Sequence, residues 1–418
     1  MSEFLASHTF LIVSLLKVVV VLFVLLTAVA YLSWFERKVV AHIQSRWGPH
    51  RAGAHGLLQP LADGIKFLFK EDPMPAGVDR FVYFFAPALA LTLAVTTIAL
   101  IPFGPGTIRI FGQETVVAVS DVNIGLLILF ALTSLGVYGV ALAGWSSNSK
   151  YPLLGGLRSA AQMVSYELAL TLSVVGVLLL TGTFNFREII HKQEGFAWGF
   201  LPRWNAFAWP APQLLGFFIY FIAAIAETNR SPFDLAEAEQ ELVGGFHTEY
   251  ASFKFAMFFM SEYANMVTVS LLASALFLGG WLSPFPDTPL WAWTHYLPTA
   301  IFGLGGLALL VDALKYKTGW KRIQLTVVSL LALGLAAVCA LPGAIEFVQG
   351  PFWYVAKATT FLFVYVWVRG TLPRFRYDQL MNIGWKLLFP LALLNVVATS
   401  LAILAAQLVP IRSLAVPR

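Results

Sequence analysis

Apolar residues in this chain arrive in long runs separated by short polar stretches, and the runs set the architecture. Ten of them lie at roughly 10–34, 81–101, 122–143, 160–181, 211–226, 253–282, 297–314, 323–342, 351–369 and 385–409. Each is long enough, or nearly so, to cross a hydrocarbon core about 30 Å thick as a helix. The fifth and seventh are the short ones. The pattern predicts an all-α polytopic membrane protein of about ten transmembrane helices, a single membrane domain over 1–418. The first run is too long for a signal-peptide core, has no basic region before it and no small-residue cleavage site, and reads as a span.

Two polar stretches carry periodicities of their own. In 35–80, Glu36-Arg37-Lys38 leads through a turn at Gly48-Pro49 to a restart at Gln59-Pro60. Leu57, Leu61, Ile65 and Leu68 then form a helical stripe, with Phe67 and Phe69 as flanking aromatics and Asp63, Lys66 and Lys70 opposite. That is an amphipathic helix lying in the membrane interface. A simple anchor would need the stripe alone, not the polar groups that precede it.

The second stretch is acidic. Residues 226–250 hold Glu227, Asp234, Glu237, Glu239, Glu241 and Glu249, six of the chain's 22 acidic residues. Ser231-Pro232 predicts a helix start, since proline in a first turn loses no hydrogen bond. Asp234, Glu237 and Glu241 would share one stripe, Glu239 would face away, and Gly244-Gly245 would end the helix. In a soluble protein this would be a solvated loop. Here apolar segments flank it directly, which defines an acidic loop over 227–252.

Composition agrees: 58% hydrophobic residues, 12% charged and mean hydropathy +0.75. Loops 35–80, 144–159, 227–252, 315–322 and 369–386 carry 18 basic residues, while the opposite loops and tails carry 6. By the positive-inside rule both termini face outward and the acidic stretch faces the cytoplasm. The net charge of +5 therefore reports topology and gives no support to nucleic-acid binding. Trp198, Trp204, Trp209, Trp291 and Trp293 read as an outer interfacial belt. Cys339, the single cysteine, can form no internal disulfide and cannot ligate an iron–sulfur cluster, so any electron must come from a partner. There is no metal-ligand spacing, no nucleotide-binding glycine motif, no nucleophile–base pair and no internal repeat.

Some ionisable residues fall inside spans. Glu167 lies eight residues in from the predicted end of its helix, about 12 Å deep at 1.5 Å per residue. Glu262 is a second, and both are functional candidates by position. Lys17 reads as a snorkelling side chain near the outer interface, and Lys357 as a partner for an acid on a neighbouring helix. Grouped carboxylates in a poorly hydrated place cannot all ionise, so they share and pass protons. Asp234, Glu237, Glu239, Glu241 and Glu249, with Glu167, Glu227 and Glu262, would form such a chain into the bilayer.

The segments ERKVVAHIQSRWGPHRAG, GLLQPLADGIKFLFKED, GWSSNSKYPLLGGLRSAAQMVSYE, AETNRSPFDLAEAEQELVGGFHTEY and LPRFRYDQLMNIGWK together closely resemble the H subunit of bacterial NADH:quinone oxidoreductase, respiratory complex I. The likeness runs from Phe10 to about Pro284 and resumes near Pro351. It implies a subunit of the bacterial inner membrane that forms much of a quinone passage and couples quinone reduction to proton translocation, without being catalytic alone. Glu36, Arg37, Arg46, Asp63, Phe67, Arg230 and Phe233 would line the passage. Quinone would be the substrate, with flavin and iron–sulfur clusters only in partner subunits. Partners would be the peripheral quinone-site and iron–sulfur subunits, small membrane subunits of the pump arm, and lipids.

Between 284 and 350 the chain departs from the usual eight-span pattern with an inserted transmembrane hairpin. Its basic loop holds Lys315, Lys317, Lys321 and Arg322, and its Asp312 reads as a helix-end charge. Such a hairpin would be lipid-facing or would contact an accessory subunit. The alternatives are the equivalent subunit of an energy-converting hydrogenase, or an ion-coupled transporter. The latter would need paired repeats or broken helices in matching positions, which the sequence lacks.

Overall fold

A computed structural model of the chain describes residues 2–110, 113–197, 199–234, 244–286, 288–316 and 319–408. Each of the ten apolar runs is a helix. They are α1 (Ser2–Ile43), α3 (Arg80–Ile98), α4 (Gly125–Ser146), α5 (Lys150–Thr181), α7 (Leu214–Glu227), α8 (Ser252–Phe277), α9 (Leu297–Lys315), α10 (Trp320–Cys339), α11 (Pro342–Thr371) and α13 (Phe389–Leu408). Shorter helices fill the connections: α2 (Gln59–Phe69), α6 (Phe186–His191) and α12 (Tyr377–Asn382), the last joined to α13 through a π-turn at Ile383–Leu388. Strand structure among the described residues is confined to two small hairpins, Thr107–Ile110 with Gln113–Val116 and Phe196–Ala197 with Leu201–Pro202.

Helices α5, α7 and α8 form the centre, and α1, α4, α11 and α13 pack around them. Small residues let the backbones close up. A Cβ on Gly139 of α4 would come 2.9 Å from that of Ala90 on α3, and one on Gly144 would come 2.6 Å from the Pro152 carbonyl of α5. The connections separate into the two sets that the basic residues distinguish. At one end the Asp79 amide donates to Ser146 O (3.3 Å), Ser252 Oγ to Phe67 O (2.8 Å) and the Phe375 amide to Pro232 O (3.0 Å). At the other, the Leu126 amide donates to Phe184 O (3.2 Å) and Asn205 Nδ2 to Leu276 O (2.7 Å).

Several expectations change. Helix α1 does not end at the membrane surface: it runs 42 residues, about 63 Å at 1.5 Å per residue, and carries Glu36, Arg37 and Lys38 as helical positions. Pro232 does not open a helical first turn. Asn229 is left-handed (φ 49°) and the Phe233 amide donates to Arg230 O (2.8 Å), so 228–233 is a tight turn. The Lys17 ammonium is not simply solvated: it donates to Ala118 O (2.9 Å) and to Thr115 Oγ1 in the first small hairpin. Among the described residues Lys357 pairs with no acid. It donates to the carbonyls of Leu278 (2.6 Å), Gly280 (3.0 Å) and Leu282 (2.7 Å), capping α8, and lies 4.4 Å from the Trp204 ring centroid. Trp204 therefore faces inward instead of joining an interfacial belt, and Trp198 lies outside the described residues.

Candidate functional site

At the end where the basic loops gather, α1, the turn at 44–49, α2, α8 and the end of α11 enclose a cavity of about 1290 Å³. Helix α2 shapes one wall because of its period. Leu61, Ile65 and Leu68 point outward and stay 61%, 48% and 66% exposed, while Asp63 and Phe67, four apart, turn toward the protein. The C-terminal end of α2 is held by Ser252, which donates to Phe67 O and Lys70 O (3.0 Å). Its middle is held by Arg37 of α1, which donates to Asp63 at 2.8 Å. Burial opposes ionisation of Asp63, but the Lys66 hydrogen bond and the charges of Arg37 and Lys66 outweigh it, keeping the carboxyl below its ordinary range.

The inner wall holds a buried charge cluster. The Glu36 carboxylate is 4% exposed and accepts from Tyr263 Oη (2.6 Å), from Arg230 Nη1 (3.5 Å) and from Arg369, in a close ion pair. Arg230 Nε lies 2.5 Å from Glu262 Oε1, and its guanidinium stacks 4.3 Å from the Tyr263 ring centroid. Two acids and two arginines thus balance at a largely buried wall, Arg369 and Glu262 keeping 26% and 16% of their side chains accessible, and buried charge is tolerated when it is paired in this way.

The sequence-selected residues distribute as follows. Glu36, Arg37, Arg46, Asp63 and Phe67 line the cavity, Arg46 with its Nε donating to Gln44 Oε1 (2.7 Å). Arg230 stands behind the wall through Glu36, beside Ser231, which does line it. Phe233 is buried between the rings of Tyr166 (5.5 Å) and Phe375 (5.4 Å), set back in the core.

Among the acids, Glu262 joins the Glu36 cluster through Arg230. Asp234 is buried and accepts from Arg374 Nη2 at 3.2 Å. Glu227, the last residue of α7, is within electrostatic reach of Glu167 on α5, which accepts a hydrogen bond from Ser134 of α4. The charged groups thus fall into two sets, Glu36, Glu262, Arg230 and Arg369 at the cavity wall and Glu227 with Glu167 deeper in, and the turn 228–233 joins them along the chain. Glu249 belongs elsewhere: its backbone carbonyl accepts from Tyr83 Oη (2.6 Å), in a separate cluster with Tyr250 and Phe258. Glu237, Glu239 and Glu241 lie outside the described residues.

Sequence reasoning missed Tyr263, Arg369 and Arg374. Both arginines had registered only as topology-setting charge, although Arg374 lies within one of the diagnostic segments. Tyr263 follows Glu262 directly. Among the described residues, no group of three or more His, Cys, Asp or Glu could hold a metal ion.

A family model described as NADH dehydrogenase matches residues 16–400. The chain is 50% identical over 391 residues to an NADH-quinone oxidoreductase H subunit (the first of two) of Solibacter usitatus, covering 94% of this chain and 96% of the relative. It is 50% identical over 402 residues to the second such H subunit of Koribacter versatilis (94% and 97%), and 45% identical over 394 residues to the H subunit of Thermomicrobium roseum (94% and 96%). An alignment leaving about 6% of the chain uncovered must include most of 284–350, so that hairpin is shared with these relatives and is not peculiar to this chain.

Proposed function

Because the chain belongs to the H-subunit family of NADH-quinone oxidoreductases, we propose that the cavity bounded by α1, α2, α8 and α11 is its quinone passage. The protein is a multi-pass membrane subunit of an oxidoreductase that translocates protons, and acts as part of that complex. The observation that carries the proposal is a 1290 Å³ space whose walls mix apolar and polar side chains, with a hydrogen-bonded charge cluster at its inner side. It is large enough for a quinone head with the first part of its tail, and the few polar groups would orient the head.

Electrons would arrive from iron–sulfur and flavin groups held by peripheral partner subunits. Reduction places two protons on the quinone oxygens. Negative charge developing there would be felt first by Arg37, Arg369 and Arg230, and through them by Glu36 and Glu262. A shift of protonation in that cluster would be passed toward Glu227 and Glu167. The basic end of the molecule would face the bacterial cytoplasm, with both termini outside the inner membrane. Small membrane subunits of the pump arm would receive the coupling, and lipids would cover the outward faces.

Gly64 gives a direct test. It lines the cavity, and a Cβ added there meets nothing within 4 Å. A Gly64→Trp side chain can therefore be placed at the cavity wall without displacing its own helix, where it is expected to narrow the space. In assembled complex it should raise KM for a long-tailed quinone at least tenfold while NADH:ferricyanide activity stays unchanged. An unchanged KM would remove the cavity from the quinone's path.

A further inference from the structure

The shared hairpin α9–α10 touches the protein at a particular place. Asp312, in the last turn of α9, lies 2.5 Å from His55 Nε2. Gln324, in the first turns of α10, accepts through Oε1 from the Ala54 amide at 3.0 Å. Ala54, Ala313 and Leu325, each 0–1% exposed, close an apolar contact around those bonds. A Cβ on Gly53 would come 2.8 Å from Gln324 Oε1, so the two segments are in full contact.

The loop gripped in this way is a costly one to hold. Gly53, His55 and Gly56 all have positive φ (75°, 51° and 79°), and histidine rarely adopts that conformation unless its surroundings impose it. A Cβ on Gly56 would come 2.4 Å from Pro49 O, so the loop folds back on Pro49. Pro49 lines the cavity on one side of the loop, and Pro60, Asp63, Gly64 and Phe67 line it on the other. None of Gly53, Ala54 or His55 lines it.

We propose that the hairpin α9–α10 is a positioning element for the cavity: Asp312 and Gln324, acting through His55 and Ala54, fix the loop that joins two stretches of its wall. Helix α2 is fastened to α8 at its C-terminal end and to α1 at its middle, and the hairpin fixes the segment that leads into its first turn. The outward face of α10 remains free, with Leu330 and Leu331 60% and 69% exposed. The proposal rests on the cavity being the quinone passage, and the experiment separates the two.

Intact complex carrying Asp312→Ala, Gln324→Ala, Asp312→Glu or Leu331→Ala would be compared by hydrogen exchange over 50–70 and by KM and kcat for a long-tailed quinone, with assembly followed by native gel. Asp312→Ala and Gln324→Ala should speed exchange of 50–58 at least tenfold and raise KM about three- to tenfold, with kcat within twofold. Asp312→Glu, which keeps the carboxylate, and Leu331→Ala on the outward face should leave both near the native values. Unchanged exchange in Asp312→Ala and Gln324→Ala would overturn the proposal whatever KM does. Faster exchange with unchanged KM would uphold the positioning role and sink the quinone-passage reading. Gln324→Ala removes one hydrogen bond and serves as the milder variant should Asp312→Ala fail to assemble.

Discussion

Replacing Glu36 with glutamine isolates the electrostatic part of the cavity. The side chain keeps its size, but the cluster of Glu36, Glu262, Arg230 and Arg369 goes from neutral to one excess positive charge. One of the three donors aimed at position 36, from Tyr263, Arg230 and Arg369, now meets an NH2 group. Removing one member of a fully buried ion pair costs about 3–5 kcal/mol. Arg369 has 26% of its side chain accessible, so water relieves part of that, and about 2 kcal/mol is the better figure for this site. At 1.4 kcal/mol per decade, kcat/KM for quinone should fall about 30-fold. NADH:ferricyanide activity in the same membranes should be unchanged, because that acceptor bypasses the cavity. The double variant Glu36→Gln with Arg369→Gln restores neutrality and should be less impaired than Glu36→Gln alone. A double variant equal to the sum of the singles, or a Glu36→Gln enzyme within twofold of native, would refute the argument.

Other outcomes follow from single residues. His247 is pushed down to about 4 by burial against Phe246 and Phe255, so the unfolded chain binds its proton first as pH falls. Stability should therefore drop between pH 6.5 and 4 by up to about 1.4 kcal/mol per unit, and thermal unfolding of the complex carrying His247→Phe should lose that part of the slope. Lys357→Met leaves the Leu278, Gly280 and Leu282 carbonyls without their donor and should cost about 2–4 kcal/mol, read as a lower Tm with an unchanged KM for quinone. Glu167→Gln retains the Ser134 hydrogen bond but cannot carry a proton, so quinone-linked proton translocation should fall while complex assembly is kept; unchanged translocation would take Glu167 out of the path.

What was readable in the sequence follows from what determines each feature. Apolar runs had to be helices, because lipid leaves a backbone no other partner, and all ten runs are. Glu262 was identifiable because a charge inside a span is exceptional, and Glu36 because its segment carries the family resemblance. Their pairing through Arg230 was not, since it joins residues 194 positions apart and depends on how α1, α8 and the 228–233 turn converge. The continuation of α1 to Ile43 was hidden because Glu36-Arg37-Lys38 looks like the end of a span, whereas α8 and α11 supply the partners that let it go on. Lys357 was misjudged because its partners are backbone carbonyls, which no side-chain pattern reveals. Nothing in the apolar periodicity of α9 and α10 indicates that their shared end grips Ala54 and His55.

Helix α7 has only 14 residues, about 21 Å, against a hydrocarbon thickness near 30 Å. During synthesis such a segment is a weak signal to the membrane-insertion machinery, and the stretch after it carries acids in place of the lysines and arginines that would anchor it. In the folded chain α7 packs between α5 and α8, so its place in the bilayer should depend on them and its commitment is expected to follow the synthesis of α8. Every later helix takes its direction from that step: were α7 left out, α8 to α13 would emerge inverted. Substitutions that weaken contacts of α5 or α8 with α7 should accordingly appear as failed biogenesis, with loops after residue 227 reacting with impermeant labels from the wrong side.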